Sequence, residues 1–302
     1  MSQFGNQLGR QPGSHLEAYR VKVFGTQPET GSPAVVVLDS GGWSDEVLQA
    51  LAAKAAVPDT AFVSPDPVNP GRFTIRWFTP TMEVGLCGHA TLAAARVLHE
   101  KMPAGTGRDS TEFHSSKARL VVRQEGELSW LELPVPTNTI FEGSRNPIVE
   151  ALQMWGSETE LKLPLELTPE RDVIIPLSEA ADLGAVEPEW DRLSQLGDDL
   201  KIRGICLLSR QKLEKSSNFS SRFFAPHCGI PEDPATGSVH GPLALYMLNH
   251  GWASRTENPV RLIGEQGDAM GIPCRLHVEI TYEGERPVKL RVGGLTSVPS
   301  PI

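Results

Sequence analysis

Apolar positions along this chain fall mostly into short alternating or β-branched runs, broken by a few stretches with helical spacing. Tyr19–Phe24 alternates and Ala34–Leu38 is a continuous apolar run, so both predict strands. The Gly/Pro-punctuated stretch from Thr26 to Pro33 predicts the loop between them. Ser44, followed by Asp45 and Glu46, stands where an N-cap would. Val47, Leu48, Leu51, Ala52 and Ala55 then form an apolar stripe at helical spacing, which Pro58 ends.

Further on, Phe73–Phe78 predicts a strand with a turn at Thr79-Pro80, and the Ala/Leu-rich Thr91–Leu98 predicts a helix. Arg119–Arg123 and Trp130–Leu133 read as paired strands, and Pro134–Thr137 as a linker. A helical stretch is expected around Val149–Met154, with strands at Val173–Ile175, Ile205–Leu208 and Phe219–Phe224. A Leu/Ala helix from about Val239 to Asn249 has Gly251 as its stop, and the end is β-rich: Val260–Ile263, Arg275–Ile280, Val288–Val292.

One pattern occurs twice. RWFTP (Arg76–Pro80) matches RFFAP (Arg222–Pro226), and each precedes a Gly-bearing turn that opens an apolar helix: LCGHAT (Leu86–Thr91) and ATGSVHG (Ala235–Gly241). Strand, turn and helix in the same order twice predict a duplication with pseudo-two-fold symmetry. The expected division is a flexible tail over 1–17, an N-terminal half-domain over 18–134 and a C-terminal half-domain over 135–302, whose last strands can return to the first half.

Composition narrows the function. The chain has 302 residues and a net charge of -9, from 28 Lys plus Arg against 37 Asp plus Glu. An acidic chain without a basic cluster argues against nucleic acid or an anionic membrane as the main partner. No apolar run reaches the roughly 20 residues of a membrane span. The polar first segment has no core for an export signal, which makes the cytosol the default compartment. Cys87, Cys206, Cys228 and Cys274 are widely spaced, without a CxxC pair, as expected for free thiols rather than a disulfide frame or zinc site.

The two glycine turns carry the candidate chemistry. Gly88 and Gly237 open helices, where free N–H groups and the helix dipole favour a carboxylate or phosphate. His89 follows Gly88; Asp233, Thr236 and Ser238 surround Gly237. Each also has a plain structural explanation: Ser238 as an N-cap, Asp233 as a turn residue before Pro234, Asp59 as a solvated turn residue after the first helix, and each glycine as a tight turn. No HExxH, cysteine ligand cluster or Walker-type loop calls for a metal or nucleotide.

The strings VFGTQPETGSPAVVVL, DTAFV, RWFTPTMEVGLCGHATLAAARVL and GIPEDPATGSVHGPLA, with LRVGG near the end, resemble the PhzF-like (phenazine biosynthesis) family, relatives of diaminopimelate epimerase. The resemblance spans about residues 19 to 294. It implies an α+β fold of two pseudo-symmetric half-domains, each a barrel-like β-sheet around a central helix, with the active site in the cleft between them. It also implies an isomerase that needs no cofactor, moving a C–H proton on a small carboxylate-bearing metabolite, with a role in secondary metabolism. Carried over by position, the general acid/base falls on Asp59, while His89, Asp233 and Ser238 bind and orient substrate. Gly88 and Gly237 supply backbone donors, and Thr236 and Ser32 border the substrate. Relatives often dimerise, which leaves a homodimer as one option.

Two departures stand out. The family usually has Glu where this chain has Asp59, one methylene shorter, and Asn where it has Ser32. A catalytic group displaced by about 1 Å can cost on the order of 100-fold. Cys87 stands where the epimerase relatives carry the first of two catalytic cysteines, but the partner position is Thr236, which disfavours a two-thiol racemase. Two other outcomes are therefore compatible with the sequence: a metabolite-binding protein that lost its base, and a related lyase or cyclisation enzyme.

Overall fold

β-branched residues at alternate positions build the first hairpin of the computed structural model, which describes residues 17–27, 30–69, 71–101, 110–154, 162–178 and 181–302. Strands β1 (Ala18–Gly25) and β2 (Gly31–Leu38) run antiparallel, with Val21 opposite Ala34 and Val23 opposite Ser32. The loop expected up to Pro33 is shorter, because β2 already begins at Gly31. That residue has φ +108, and a Cβ there would lie 2.4 Å from the Val23 carbonyl, so only glycine fits. The tail expected over 1–17 lies outside the described residues except for Glu17.

Helix α1 (Asp45–Ala55) buries the predicted stripe of Leu48, Leu51, Ala52 and Ala55. The Ser44 side chain makes no capping bond to the helix; only its carbonyl accepts from Val47 and Leu48. The helix closes on a left-handed Ala56, two residues before Pro58. The chain then enters β3 (Asp59–Pro65), parallel to β2. Asp59 is thus the first residue of a buried strand, not a solvated turn residue.

Strand β4 (Arg72–Phe78) pairs antiparallel with β3, and the short β5 (Glu83–Val84) folds back on it. Helix α2 (Gly88–Lys101) begins three residues earlier than its apolar core suggests and is buried from His89 to Leu98 except at Arg96. Strands β6 (Ser110–His114), β7 (Arg119–Glu125) and β8 (Leu128–Leu133) follow, β6 parallel to β4 and the rest antiparallel. Strands β3 and β6 lie outside the elements that the hydrophobic pattern predicts.

Past the short β9 (Thr139–Ile140), α3 (Asn146–Ala151) and β10 (Glu166–Leu167), the same succession returns. Strand β11 (Asp172–Pro176) leads through α4 (Trp190–Leu200) to the parallel β12 (Gly204–Ser209). Then come antiparallel β13 (Phe219–Ala225) and β14 (Ile230–Asp233), helix α5 (Gly237–Asn249), β15 (Val260–Gln266) parallel to β13, and antiparallel β16 (Cys274–Glu283). The order β2-α1-β3-β4-β5-α2-β6-β7 is therefore repeated as β11-α4-β12-β13-β14-α5-β15-β16. Even details recur: α4, like α1, ends on a left-handed residue, Lys201. Arg76 binds both oxygens of Glu83 and stacks over Phe78, as Arg222 binds Glu232 and stacks over Phe224.

Strands β17 (Arg286–Thr296) and β18 (Ser300–Pro301) complete the chain. Two compact units result: unit 1 runs to Glu132 and includes Gly293–Ile302, and unit 2 is Leu133–Val292. The boundary falls just before the Pro-rich piece. In unit 1 the last residues pair with β1, Val23 opposite Thr296 and Tyr19 opposite Pro301. In unit 2, α5 buries Val239, Leu243, Ala244, Tyr246 and Met247 in one core with Phe219, Phe223, Val278 and Ile280. No helix among the described residues is long and apolar enough to cross a membrane.

Candidate active site

In unit 1 the βαβ crossover sets Asp59 at the head of β3, opposite Ala34 of β2, with 6% of its surface exposed. Side chains of paired residues leave a sheet on the same face, and residues two apart on a strand share it. Ser32, two before Ala34, is therefore on the face of Asp59. It is fully buried, and its hydroxyl has no hydrogen-bond partner among the described residues.

The start of α2 brings the remaining groups. Cys87 precedes the helix, and its carbonyl accepts both the Thr91 amide and, at 2.6 Å, the Thr91 hydroxyl. The hydroxyl of Thr91 in turn accepts from the Trp77 indole at 3.1 Å, which ties the helix start to β4. His89, the second residue of α2, has its two ring nitrogens facing different partners: Nδ1 is 3.3 Å from Cys87 Sγ, and Nε2 is 3.7 Å from Asp59 Oδ2. Thiol and carboxylate both face the imidazole, and all three residues are buried. A donor atom from each lies within 4.8 Å of the others. Although the sequence called for no metal, this Cys/His/Asp set has the chemistry a zinc-like ion takes.

In unit 2 the start of α5 is built differently. Asp233, at the end of β14, accepts the Ala235 amide at 3.2 Å and the Thr236 hydroxyl at 2.6 Å. Gln266 braces the same turn: its amide nitrogen donates to the Asp233 carbonyl and to Thr236 Oγ1, and its oxygen accepts from the Thr236 amide. Thr236 and Gly237 are buried, and Ser238 is half-buried. Both Asp233 oxygens thus have partners within the turn, which gives the residue a structural task.

Ser238 is not the N-cap, a position that Thr236 holds; its hydroxyl accepts from Arg203 at 2.9 Å. Arg203 precedes β12 and forks onto Asp172, fully buried at the head of β11. Burial works against the guanidinium charge, but the hydrogen bonds and charge of Asp172, with Glu170 and Asp233 beyond, outweigh it and raise the Arg203 pKa. His240, one helical turn into α5, donates through Nδ1 to the Thr236 carbonyl at 2.9 Å. Burial lowers its pKa to about 4, against the opposing pull of that hydrogen bond and of Asp233, so it is neutral near pH 7.

Sequence reasoning missed Arg203, Asp172 and Gln266 as site residues. The structure brings Asp59, Cys87 and His89 together, and Asp233 with Thr236. Burial raises the thiol pKa of Cys206 and Cys228. A cavity of about 280 Å³ elsewhere in unit 2, lined by Leu183, Lys212, Arg222 and Glu265 among others, contains none of the candidate residues.

Solved PhzF-family and proline-racemase-type proteins share this mixed helix-and-strand fold. A PhzF-family phenazine biosynthesis protein from Bacillus anthracis superposes with a TM-score of 0.80 at 21% identity, over 95% of this chain and 98% of its own. The phenazine biosynthesis-like protein family model matches residues 21–299. An uncharacterized isomerase from Deinococcus radiodurans is 34% identical over 288 residues, 92% of this chain and 91% of the relative. One from Pseudomonas aeruginosa is 36% identical over 275 residues, 90% and 92% respectively. The chain belongs to the phenazine biosynthesis-like family and is an isomerase.

Proposed function

We propose that this isomerase moves a proton between carbons of a small carboxylate-bearing metabolite without a cofactor, with Asp59 as the acid/base. The observation that carries this reading is the buried contact of Asp59 with His89 at the start of α2. Taking a proton from carbon needs a positioned base and stabilisation of the charge that develops. Asp59 supplies the base. His89 faces it through Nε2 and is itself oriented by Cys87 on the other nitrogen. First-turn amides, beginning at Gly88, offer donors to developing negative charge.

The roles are unequal. In unit 1 the helix start carries groups that can exchange protons; in unit 2 it carries Thr236, Ser238 and a braced Asp233, which suit binding and orientation. That favours one-sided proton shuttling over a symmetric two-base racemase. Ser32, in place of the family's usual Asn, shortens the polar reach on the face of Asp59, which suits a substrate different from that of relatives carrying Asn.

The test is incubation of the protein in heavy water with a panel of α-amino, α-hydroxy and unsaturated carboxylic acids, read by NMR and mass. Deuterium entering a C–H position of a product isomeric with its substrate is expected. Folded protein that exchanges no proton on any acid of the panel would sink the proposal, and a product lighter by one water would point to a lyase.

A further inference from the structure

The duplicated topology allows the two halves to be compared position by position. In unit 1, α1 ends on left-handed Ala56 and the third residue after it is Asp59, opposite Ala34. In unit 2, α4 ends on left-handed Lys201 and the third residue after it is Gly204, opposite Asp172. The same cross-strand pair thus carries one aspartate and one small residue in both units, on exchanged strands. Gly204 cannot carry the acid: a Cβ there would fall 2.2 Å from the Phe223 ring. The carboxylate of unit 2 is also committed. Arg203 grips both oxygens of Asp172, and Thr168 donates its hydroxyl as well.

The contacts made by the following helix are equivalent too. The second residue of α2, His89, faces Asp59; the second residue of α5, Ser238, faces Arg203. Where unit 1 presents an anion to an imidazole, unit 2 presents a cation to a hydroxyl. A hydroxyl has one proton, and a guanidinium can only donate. Because Ser238 Oγ accepts from Arg203, its own proton is turned away from Arg203 and is available to an acceptor. The adjacent positive charge makes that O–H a stronger donor to an anion.

We propose that Arg203 is a positioning residue for this isomerase: held by Asp172, it fixes the Ser238 hydroxyl as a donor to the substrate carboxylate. This rests on the proton-transfer reading above and adds how the carboxylate is recognised. Arg203 also neutralises Asp172, so a purely structural task is the competing explanation, and the two differ in kinetics. Loss of an anchor that holds ground state and transition state alike raises KM and spares kcat. Loss of a structural pair lowers the folded fraction and Vmax at unchanged KM.

The experiment compares wild type, Arg203→Met, Arg203→Lys, Ser238→Ala and the Arg203→Met/Ser238→Ala double variant, using the acid from the heavy-water panel that the wild type exchanges. Arg203→Lys is the safeguard for folding. It keeps a cation against Asp172, but a single ammonium lacks the fork that reaches Ser238 as well. Expected are KM values raised about tenfold or more in Arg203→Met and Arg203→Lys, the size of one lost hydrogen bond to a charged group. kcat stays within about threefold, and the double variant is no worse than Ser238→Ala, because Arg203 acts through that hydroxyl. Unchanged KM in Arg203→Lys and in any folded Arg203→Met overturns the inference and leaves the proton-transfer reading standing. If the wild type exchanges no acid of the panel, both fall together.

Discussion

His89 presents Nε2 to Asp59 Oδ2 at 3.7 Å, with only 4% and 9% of the two side chains exposed, so imidazole and carboxylate face each other away from bulk water at the head of β3. A base in that position is worth about 10²- to 10⁴-fold. Asp59→Asn should lower the deuterium-exchange rate by that amount while leaving the fold intact by circular dichroism. Asp59→Glu adds one methylene and moves the carboxylate by about 1 Å. Its rate should lie between wild type and Asp59→Asn. An Asp59→Asn protein that exchanges at the wild-type rate would remove Asp59 from the mechanism.

Cys87 touches the other nitrogen of the same imidazole, 3.3 Å away. On the one-sided reading it orients His89 rather than carrying the proton. Cys87→Ser keeps a polar group in place and should cost less than about tenfold in exchange rate, well under the loss for a general base. A loss as deep as that of Asp59→Asn would instead make the thiol a proton carrier.

The Asp59, Cys87 and His89 donors sit within 4.8 Å of one another. Thiolate, imidazole and carboxylate together suit zinc, and an ion there would occupy the groups that exchange protons. Zinc added in slight excess should therefore abolish exchange, and a chelator should restore it. Cobalt, as the spectroscopic substitute, should give a near-ultraviolet thiolate band that Cys87→Ser lacks. Full activity in excess zinc would show that the three groups do not close on an ion.

Much of this site was legible locally. The paired strings RWFTP and RFFAP marked matching strands, and the glycine turns after them marked two helix starts, because strand, turn and helix are each encoded within a few residues. Asp59 was found, but its strand was missed: DTAFV follows Pro58 so closely that it reads as the end of a turn. Helix α4 was missed although Leu193, Leu196 and Leu200 repeat at helical spacing. Arg203 had no local mark at all. Its partners Asp172 and Ser238 lie 31 and 35 residues away, and Gln266 is 33 residues from Asp233. Such contacts follow from the topology of the second unit, which spacing along the chain does not encode.

His240 makes stability depend on pH. Its folded-state pKa is about 4, pushed down first by burial, against 6.5 for an unperturbed histidine. Between those values the unfolded chain binds a proton that the folded chain does not. The stability present above pH 6.5 is therefore lost as pH falls toward 4, by roughly 3 kcal/mol at most. Burial lowers the His277 pKa as well and adds a slope of the same sign. Urea midpoints should fall from pH 7 to pH 4.5, and His240→Asn should flatten the fall without abolishing it. An unchanged slope in that variant would show that His240 does not control it.

The duplicated ion pair gives an internal comparison of burial. Arg76–Glu83 and Arg222–Glu232 follow the same strand pairing, but the side chains are 37% and 43% exposed in the first and 9% and 11% in the second. Water screens the first pair, and exposed pairs contribute up to about 1 kcal/mol. In the second pair, removing one partner leaves a charge with little solvent to accept it, at a cost of about 3 kcal/mol. Arg222 also donates to the carbonyls of Leu183 and Val186, which hold its guanidinium in place and prevent it from swinging out to water. Glu232→Gln should therefore lower the free energy of unfolding by about 3 kcal/mol and Glu83→Gln by less than about 1, measured in urea at pH 7. Equal losses would mean that the pair in unit 2 is as well hydrated as its counterpart, and that duplication preserved its energetics along with its geometry.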